Sequence, residues 1–337
     1  MPLAPSPAEP LAVHLAYAPD PGPLAALRAA LLSTISLTTG PDMPNPAVYH
    51  VLVAGRPPRE MLIASPNLRA LTIPFAGLPA TTRELLRDFP HVAVYNLHHN
   101  AAPTAEMALG LLLAAAKRIV PSDRDFRRHD WTPRYQPYPS MLLAGKRVLV
   151  LGYGAVGQRV GAACRVLGMT VTGIRRRISA PQDDGTGVTV YPPDTLHDLL
   201  PQTDVLVICL PGTDATTGLI GAVELALLPP GAILVNVGRA AVVEQGALYA
   251  ALRDGHLFAA GLDVWYTYPT DEASRTYTPP ADYPFHELDN VVLSPHRAGG
   301  GMNDDIEALR MAALADLLNR LAHGDDVPQR VDLDAGY

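Results

Sequence analysis

Residues Lys146 to Arg177 read KRVLVLGYGAVGQRVGAACRVLGMTVTGIRRR. A short apolar strand, Val148 to Leu151, runs into Gly152-Tyr153-Gly154-Ala155-Val156-Gly157. A helical pattern follows, with Val156, Val160, Ala163, Cys164 and Leu167 on one side, and Gly168 ends it before a second strand, Met169 to Ile174. Strand, glycine turn, helix and strand in this order form the first half of a dinucleotide-binding unit. Gly152 suits the tight turn, Gly154 lets the backbone approach a pyrophosphate, and Gly157 lets the helix sit close on the strand. The helix N-terminus adds free N–H groups and a partial positive charge.

The end of the second strand indicates which dinucleotide. An NAD site usually carries Asp or Glu there, bonded to the ribose 2′-hydroxyl. This chain has Arg175, Arg176 and Arg177 instead. A guanidinium fork matches a 2′-phosphate in charge and in planar two-point geometry. NADP(H) is therefore the expected cofactor, with NAD(H) the alternative if the three arginines form only a solvated basic loop. Tyr153, Ala155, Val156, Leu210, Pro211, Val237 and Gly238 are further candidates for cofactor contact.

On the N-terminal side, the predicted strands are Leu11–Ala18, Tyr49–Ala54, Leu68–Pro74 and Val92–Asn96. The predicted helices are Gly22–Ser36, Pro58–Ala64 and Thr82–Phe89. Such alternation predicts a parallel sheet covered on both faces. A long helix is expected from Pro103 to about Arg128, then a charged, aromatic and Pro-rich arm reaching Tyr138. Beyond Arg177 the alternation resumes, through strands at Val188–Tyr191, Asp204–Leu210, Ala232–Val237, Leu257–Trp265 and Val291–Ser294. A last amphipathic helix is predicted over Asn303–Ala322. The fold class is α/β, with two doubly wound parallel-sheet (Rossmann-like) domains and a cleft between them. The expected boundaries are 1–102 joined by 303–337 for a substrate domain, and 103–302 for the dinucleotide-binding domain.

Composition narrows the function. The 337 residues suffice for two domains, and a net charge of −7 with no basic stripe argues against a nucleic-acid partner. Cys164 and Cys209 are the only cysteines and lie in apolar stretches, so neither a disulfide framework nor a metal site is expected. No apolar run reaches membrane-spanning length. The start, MPLAPSPAEP, lacks the charged and apolar regions of a signal peptide, which makes a cytoplasmic setting the default.

Three stretches follow at strand ends. In Asn236-Val237-Gly238-Arg239-Ala240, Arg239 can clamp a carboxylate by two charge-assisted hydrogen bonds, or form a structural ion pair. In Leu262-Asp263-Val264-Trp265-Tyr266-Thr267-Tyr268-Pro269, Asp263 sits in an apolar strand and needs a partner, which a nicotinamide carboxamide or nearby backbone N–H groups can supply. In Ser294-Pro295-His296-Arg297-Ala298-Gly299, His296 suits proton exchange with a hydroxyl or carbonyl oxygen. His98 and His99 precede the long helix, and they either line a substrate pocket or fill a crossing between domains.

These stretches, in this order and spacing, resemble the D-isomer-specific 2-hydroxyacid dehydrogenase family, over Leu11 to about Leu321. The resemblance implies that Arg239 binds and polarises a 2-oxo acid and that His296 is the acid–base group. It further implies that Asp263 holds the nicotinamide, that N–H groups near Ala76 and Gly77 cradle the carboxylate, and that the Pro103–Arg128 helix pairs with its mate in a homodimer. The expected activity is reduction of a small 2-oxo acid such as glyoxylate or hydroxypyruvate. The alternative is a nicotinamide-nucleotide-binding sensor or interaction protein of the same fold, since some relatives act as corepressors.

One position departs from the family. Its glutamate partner for the histidine falls at Tyr268, which can hydrogen-bond His296 but brings no charge at neutral pH. Asp271 and Glu272 are candidates to reach back, His286-Glu287 lies beyond them, and Thr270–Pro284 is longer than in most relatives.

Overall fold

A computed structural model describes residues 10–300, 304–334 and 336, so Met302, Asn303 and most of the Pro-rich start lie outside the described residues. The chain divides into two compact units, one formed by Met1–Asn100 with Gly300–Tyr337, the other by Ala101–Gly299.

The first unit holds five parallel strands, β1 (Leu11–Leu15), β2 (Ile35–Thr39), β3 (Val51–Val53), β4 (Ala70–Ile73) and β5 (Ala93–Asn96). Their order, β2-β1-β3-β4-β5, reverses direction between β1 and β3. In a doubly wound sheet that reversal opens a crevice at the carboxyl ends of the strands. Leu27 and the buried side of the Asp304–His323 helix pack on one face of the sheet. Met61, Leu62 and Leu86 pack on the other. Strands covered on both faces are apolar throughout rather than alternating, as in Val51-Leu52-Val53 and Ala70-Leu71-Thr72-Ile73.

The second unit carries β6 (Arg147–Leu151), β7 (Thr170–Ile174), β8 (Gln182–Asp183), β9 (Thr189–Tyr191), β10 (Val205–Ile208), β11 (Ala232–Asn236), β12 (Leu257–Leu262) and β13 (Val291–Leu293). The order is β13-β12-β11-β10-β6-β7-β9-β8, and all pairings are parallel except β8 with β9. Direction reverses between β6 and β10, which puts the glycine turn beside the end of β10. The helix Ala155–Val166 and the long helix Ala101–Lys117 cover one face. Leu225, Leu248 and Leu252 cover the other. No helix among the described residues is long and apolar enough to cross a membrane.

Three sequence-based assignments are corrected. The first helix stops at Ala30 rather than Ser36, and Ile35–Thr39 is an edge strand. Its alternation spans only five half-buried and exposed residues, so the leucine-rich helical pattern before it obscured the change of period. The long helix breaks at Arg118, which adopts a left-handed φ of 54°, and a second helix runs over Ile119–Phe126. Pro121 accounts for the break. It has no N–H, and its ring would clash with the carbonyl of Lys117 in a continuous helix. In the first turn of a new helix neither matters. The strand predicted through Trp265 ends at Leu262, because the chain turns at the buried Asp263.

Candidate active site

The glycine turn sits where β6 passes into its helix. Gly152 has a φ of 100°, and a Cβ there would stand 2.9 Å from the carbonyl carbon of Cys209. That close approach joins the two strands at the switch point. A Cβ on Gly157 would collide with the Gly152 carbonyl, so the helix could not approach the strand. Gly154 differs, since a Cβ there would meet nothing within 4 Å. It is the helix N-cap and offers no side-chain cap. The first N–H groups of this 12-residue helix are thus left to an external acceptor, an arrangement that fits a pyrophosphate.

Tyr153 faces the other way. Its side chain is buried against the helix and β7, over Gly161 and Gly173, and a Cβ on Gly173 would stand 2.6 Å from the ring. Its hydroxyl donates to Asp184 at 2.8 Å, and burial, followed by that carboxylate, pushes the phenol up to about 12. The Tyr153 side chain is thus turned away from the glycine turn, and its N–H donates to the Ile174 carbonyl at 2.8 Å. Arg175, Arg176 and Arg177 are exposed just past β7, while the Arg175 N–H donates to the Tyr191 carbonyl and fixes the start of the run.

At the end of β11, the buried Asn236 organises the turn that presents Arg239. Its Oδ1 accepts from the Gly238 N–H at 3.0 Å and its Nδ2 donates to the Arg239 carbonyl at 3.1 Å. Gly238 lies so close to Leu210 that a Cβ would strike the Leu210 carbonyl, and the Arg239 stem lies over Gly212. The guanidinium is exposed and donates to the Gly238 carbonyl at 2.7 Å. Leu210 and Pro211 are half-buried, and Val237 is buried.

Asp263 is fully buried, and both of its oxygens are engaged. Oδ1 accepts from Ser294 Oγ at 2.5 Å and from the Arg297 N–H at 2.8 Å, and Oδ2 accepts from the Ala298 N–H at 2.9 Å. The carboxylate therefore pins the loop that follows β13. Of the partners expected for Asp263, the backbone N–H groups are present, from Arg297 and Ala298. Nothing in the sequence marks Ser294 for this role except its place before Pro295 and His296.

His296 lies inside the pinned loop with a left-handed φ of 56°. The residue is exposed as a whole, but its ring stacks obliquely on Tyr268, with centroids 5.4 Å apart. Desolvation of the ring, and then the Arg239 charge, lower its pKa below the usual histidine value, with Asp263 opposing weakly. Tyr268 does not hydrogen-bond His296, and its hydroxyl accepts from the Trp265 N–H at 3.1 Å. The alternative carboxylates are occupied too. Asp271 caps Ser274, Glu272 pairs with Arg275, and Glu287 lies 4.0 Å from His286. The histidine thus has an aromatic neighbour in place of a paired carboxylate.

The first unit contributes a separate set. Ala76 and Gly77 lie in the turn after β4, and the buried Asn96 donates to the Ala76 carbonyl at 2.6 Å. His98 is exposed and His99 half-buried. Burial, then Arg310 and His98, push His99 down to about 4, so it is neutral at pH 7.

The D-isomer specific 2-hydroxyacid dehydrogenase, NAD binding domain family matches residues 109–298. The glyoxylate reductase of Aeropyrum pernix is 37% identical over 215 residues, covering 62% of this chain and 61% of its own length. The D-3-phosphoglycerate dehydrogenase of Mycobacterium leprae is 32% identical over 283 residues, covering 82% of this chain. The chain spans only about half of that relative, 49% of its length. Among solved structures, a D-isomer specific 2-hydroxyacid dehydrogenase from Xanthobacter autotrophicus Py2, in complex with NADPH and MES, is 28% identical. It aligns over 96% of this chain and 100% of its own, with a TM-score of 0.75. Glycine turn, arginine turn and pinned histidine loop thus stand at the carboxyl ends of one sheet, and the chain belongs to the D-isomer specific 2-hydroxyacid dehydrogenase family.

Proposed function

We propose that the chain is an NADP(H)-dependent reductase of a small 2-oxo acid, of the size of glyoxylate or hydroxypyruvate, and yields the D-2-hydroxy acid. One observation carries this reading: Arg239 and His296 come from different strand ends, yet they lie close enough for the guanidinium to lower the imidazole pKa. When bound, the nicotinamide nucleotide supplies hydride to the carbonyl carbon, or accepts it in the reverse direction.

The residues divide the remaining work. The N–H groups of Ala155, Val156 and Gly157 would hold the pyrophosphate, since those of Gly152, Tyr153 and Gly154 donate within the protein, and Leu210, Pro211, Val237 and Gly238 would line the rest of the cofactor site. Arg239 binds the carboxylate and stabilises the negative charge that develops on the carbonyl oxygen. His296 delivers the proton to that oxygen. Exposed Phe126, Trp131 and Tyr135 on the arm support a homodimer.

The preference for NADP(H) rests on the exposed Arg175, Arg176 and Arg177 at the end of β7. We expect kcat/KM for NADPH to exceed that for NADH by at least about tenfold, or about 1.4 kcal/mol. Replacing Arg175 and Arg176 by Ala removes the preference mainly through KM for NADPH. A wild-type enzyme that prefers NADH refutes the cofactor assignment. Tight cofactor binding without turnover of any 2-oxo acid favours the sensor alternative.

A further inference from the structure

Arg175, Arg176 and Arg177 open the connection 175–181 between β7 and β8. Its near end is fixed by the Arg175 N–H on the Tyr191 carbonyl. Its far end depends on β8, which lies at the border of the sheet and pairs with β9 only through Gln182 with Val190 and Asp183 with Thr189. Two such pairs do not hold a border strand by themselves. Other contacts must fix where β8 sits, and with it the arginine run.

Those contacts meet at Asp184, the residue after β8. Its Oδ1 accepts from the Thr186 N–H at 2.8 Å, the Thr186 hydroxyl at 2.7 Å and the Val188 N–H at 3.2 Å, which shapes the loop. Its Oδ2 accepts from the Tyr153 hydroxyl at 2.8 Å. The Arg165 guanidinium, in the last turn of the helix that follows the glycine turn, donates to the Thr186 carbonyl. Tyr153 reaches Asp184 because two glycines clear the way. Its ring crosses β7 at Gly173 and lies on Gly161, where a Cβ would stand 3.0 Å from it. Its N–H and that of Gly152 donate to the carbonyl of Ile174, the residue before Arg175. Ile178, inside the connection, packs on the same core cluster as the ring. One residue of the glycine turn thus holds the arginine connection at both ends, by its backbone at Ile174 and by its hydroxyl at Asp184. Phenylalanine would fill the same space, so packing explains the ring but not the hydroxyl.

A dinucleotide with a 2′-phosphate presents two anionic groups at a spacing set by one ribose. Binding both at once requires the glycine turn and the arginine run to keep that spacing beforehand. A dinucleotide with a free 2′-hydroxyl makes no such demand. We propose that Tyr153 is a positioning residue for cofactor choice: its hydrogen bond to Asp184 keeps the arginine run at the distance from the glycine turn that a 2′-phosphate needs. This rests on the reading above that the arginine run meets the 2′-phosphate.

The test is fluorescence titration of wild type and variants with NADPH and with NADH. Wild type binds NADPH at least about tenfold more tightly. Tyr153→Phe keeps the ring and the charge, raises Kd for NADPH about fivefold, and changes Kd for NADH by less than about twofold. Asp184→Ser is too short to reach Tyr153 yet can still cap Thr186, and it narrows the ratio as well although it removes a negative charge. In a protein already carrying Arg175→Ala and Arg176→Ala, Tyr153→Phe has no further effect on NADPH, because the strut acts through those arginines. Affinity for NADH reports that each variant is folded. An equal loss for both dinucleotides, a ratio unchanged in both Tyr153→Phe and Asp184→Ser, or an additive loss in the combined variant makes Tyr153 merely structural and overturns the positioning role alone. A wild type that binds NADH as tightly as NADPH overturns the cofactor assignment, and the positioning role with it.

Discussion

The carboxyl ends of the two sheets treat their buried polar groups in opposite ways. In the second unit, Asp263 accepts from Ser294, Arg297 and Ala298, and Asn236 bonds to both Gly238 and Arg239. Each polar side chain there is used by the protein to hold a loop. In the first unit, buried atoms of His99 and Arg310 have no partner among the described residues. Satisfied groups fix geometry, whereas unsatisfied buried groups cost stability unless a guest completes them.

The strongest way to break this contrast is to remove the loop anchor. Asp263→Ala leaves Ser294 Oγ and two backbone N–H groups without an acceptor in the interior. We expect about 3–5 kcal/mol of lost stability, measured by urea unfolding. Reductase activity falls with it, as His296 loses its support. A loss under about 1 kcal/mol denies Asp263 its anchoring role. Arg239→Lys probes the presented group rather than its anchor. It keeps the charge but loses the planar fork. A fall of about a hundredfold or more in kcat/KM for the acid, about 3 kcal/mol, is expected, with cofactor affinity nearly unchanged. Retained activity moves the anion site elsewhere.

A smaller effect concerns the proton. Reduction needs the protonated imidazole, and desolvation together with Arg239 lowers the His296 pKa. The kcat/KM profile should therefore decline with a midpoint on the acid side of about 6.5. A bound carboxylate offsets Arg239, so the kcat profile should decline at higher pH than kcat/KM. Tyr268→Glu puts an anion beside the ring and should move both limbs upward, whereas Tyr268→Phe should leave them nearly in place. A kcat/KM profile flat to pH 8 in wild type contradicts the assignment.

The glycine turn was legible in the sequence because its chemistry is local. The strand, turn and helix of Lys146 to Ile174 are contiguous, and steric need fixes the glycines. The positions of Arg239 and His296 were legible for a related reason, since each leaves a buried strand through Gly or Pro. What remained hidden depends on distant partners. The burial of Asp263 could be read, but not its bonds to Ser294, Arg297 and Ala298 some thirty residues on. Tyr268 looked like a partner for His296, yet the Trp265 N–H, three residues back, takes its hydroxyl. Tyr153 stands inside the glycine motif and still turns inward, because Gly161 and Gly173 leave space for its ring. The polar cluster of Tyr17, His99 and Arg310 joins three distant segments that share no motif.

The borders of the two sheets carry a consequence for association. A bare strand edge offers unpaired N–H and C=O groups to any other exposed strand, and proteins blunt such edges by keeping them short, polar or covered. The eight-stranded sheet ends in β8, two exposed polar residues set antiparallel to β9, and in the three-residue β13. On the five-stranded sheet, β2 presents Ser36 and Thr38 outward. The β5 edge is covered by the chain itself, with Asn96 donating to the Gln329 carbonyl and Val331 to the Val94 carbonyl. Residues 329–331 thus act as a plug, and losing them would turn a closed border into a template for aggregation.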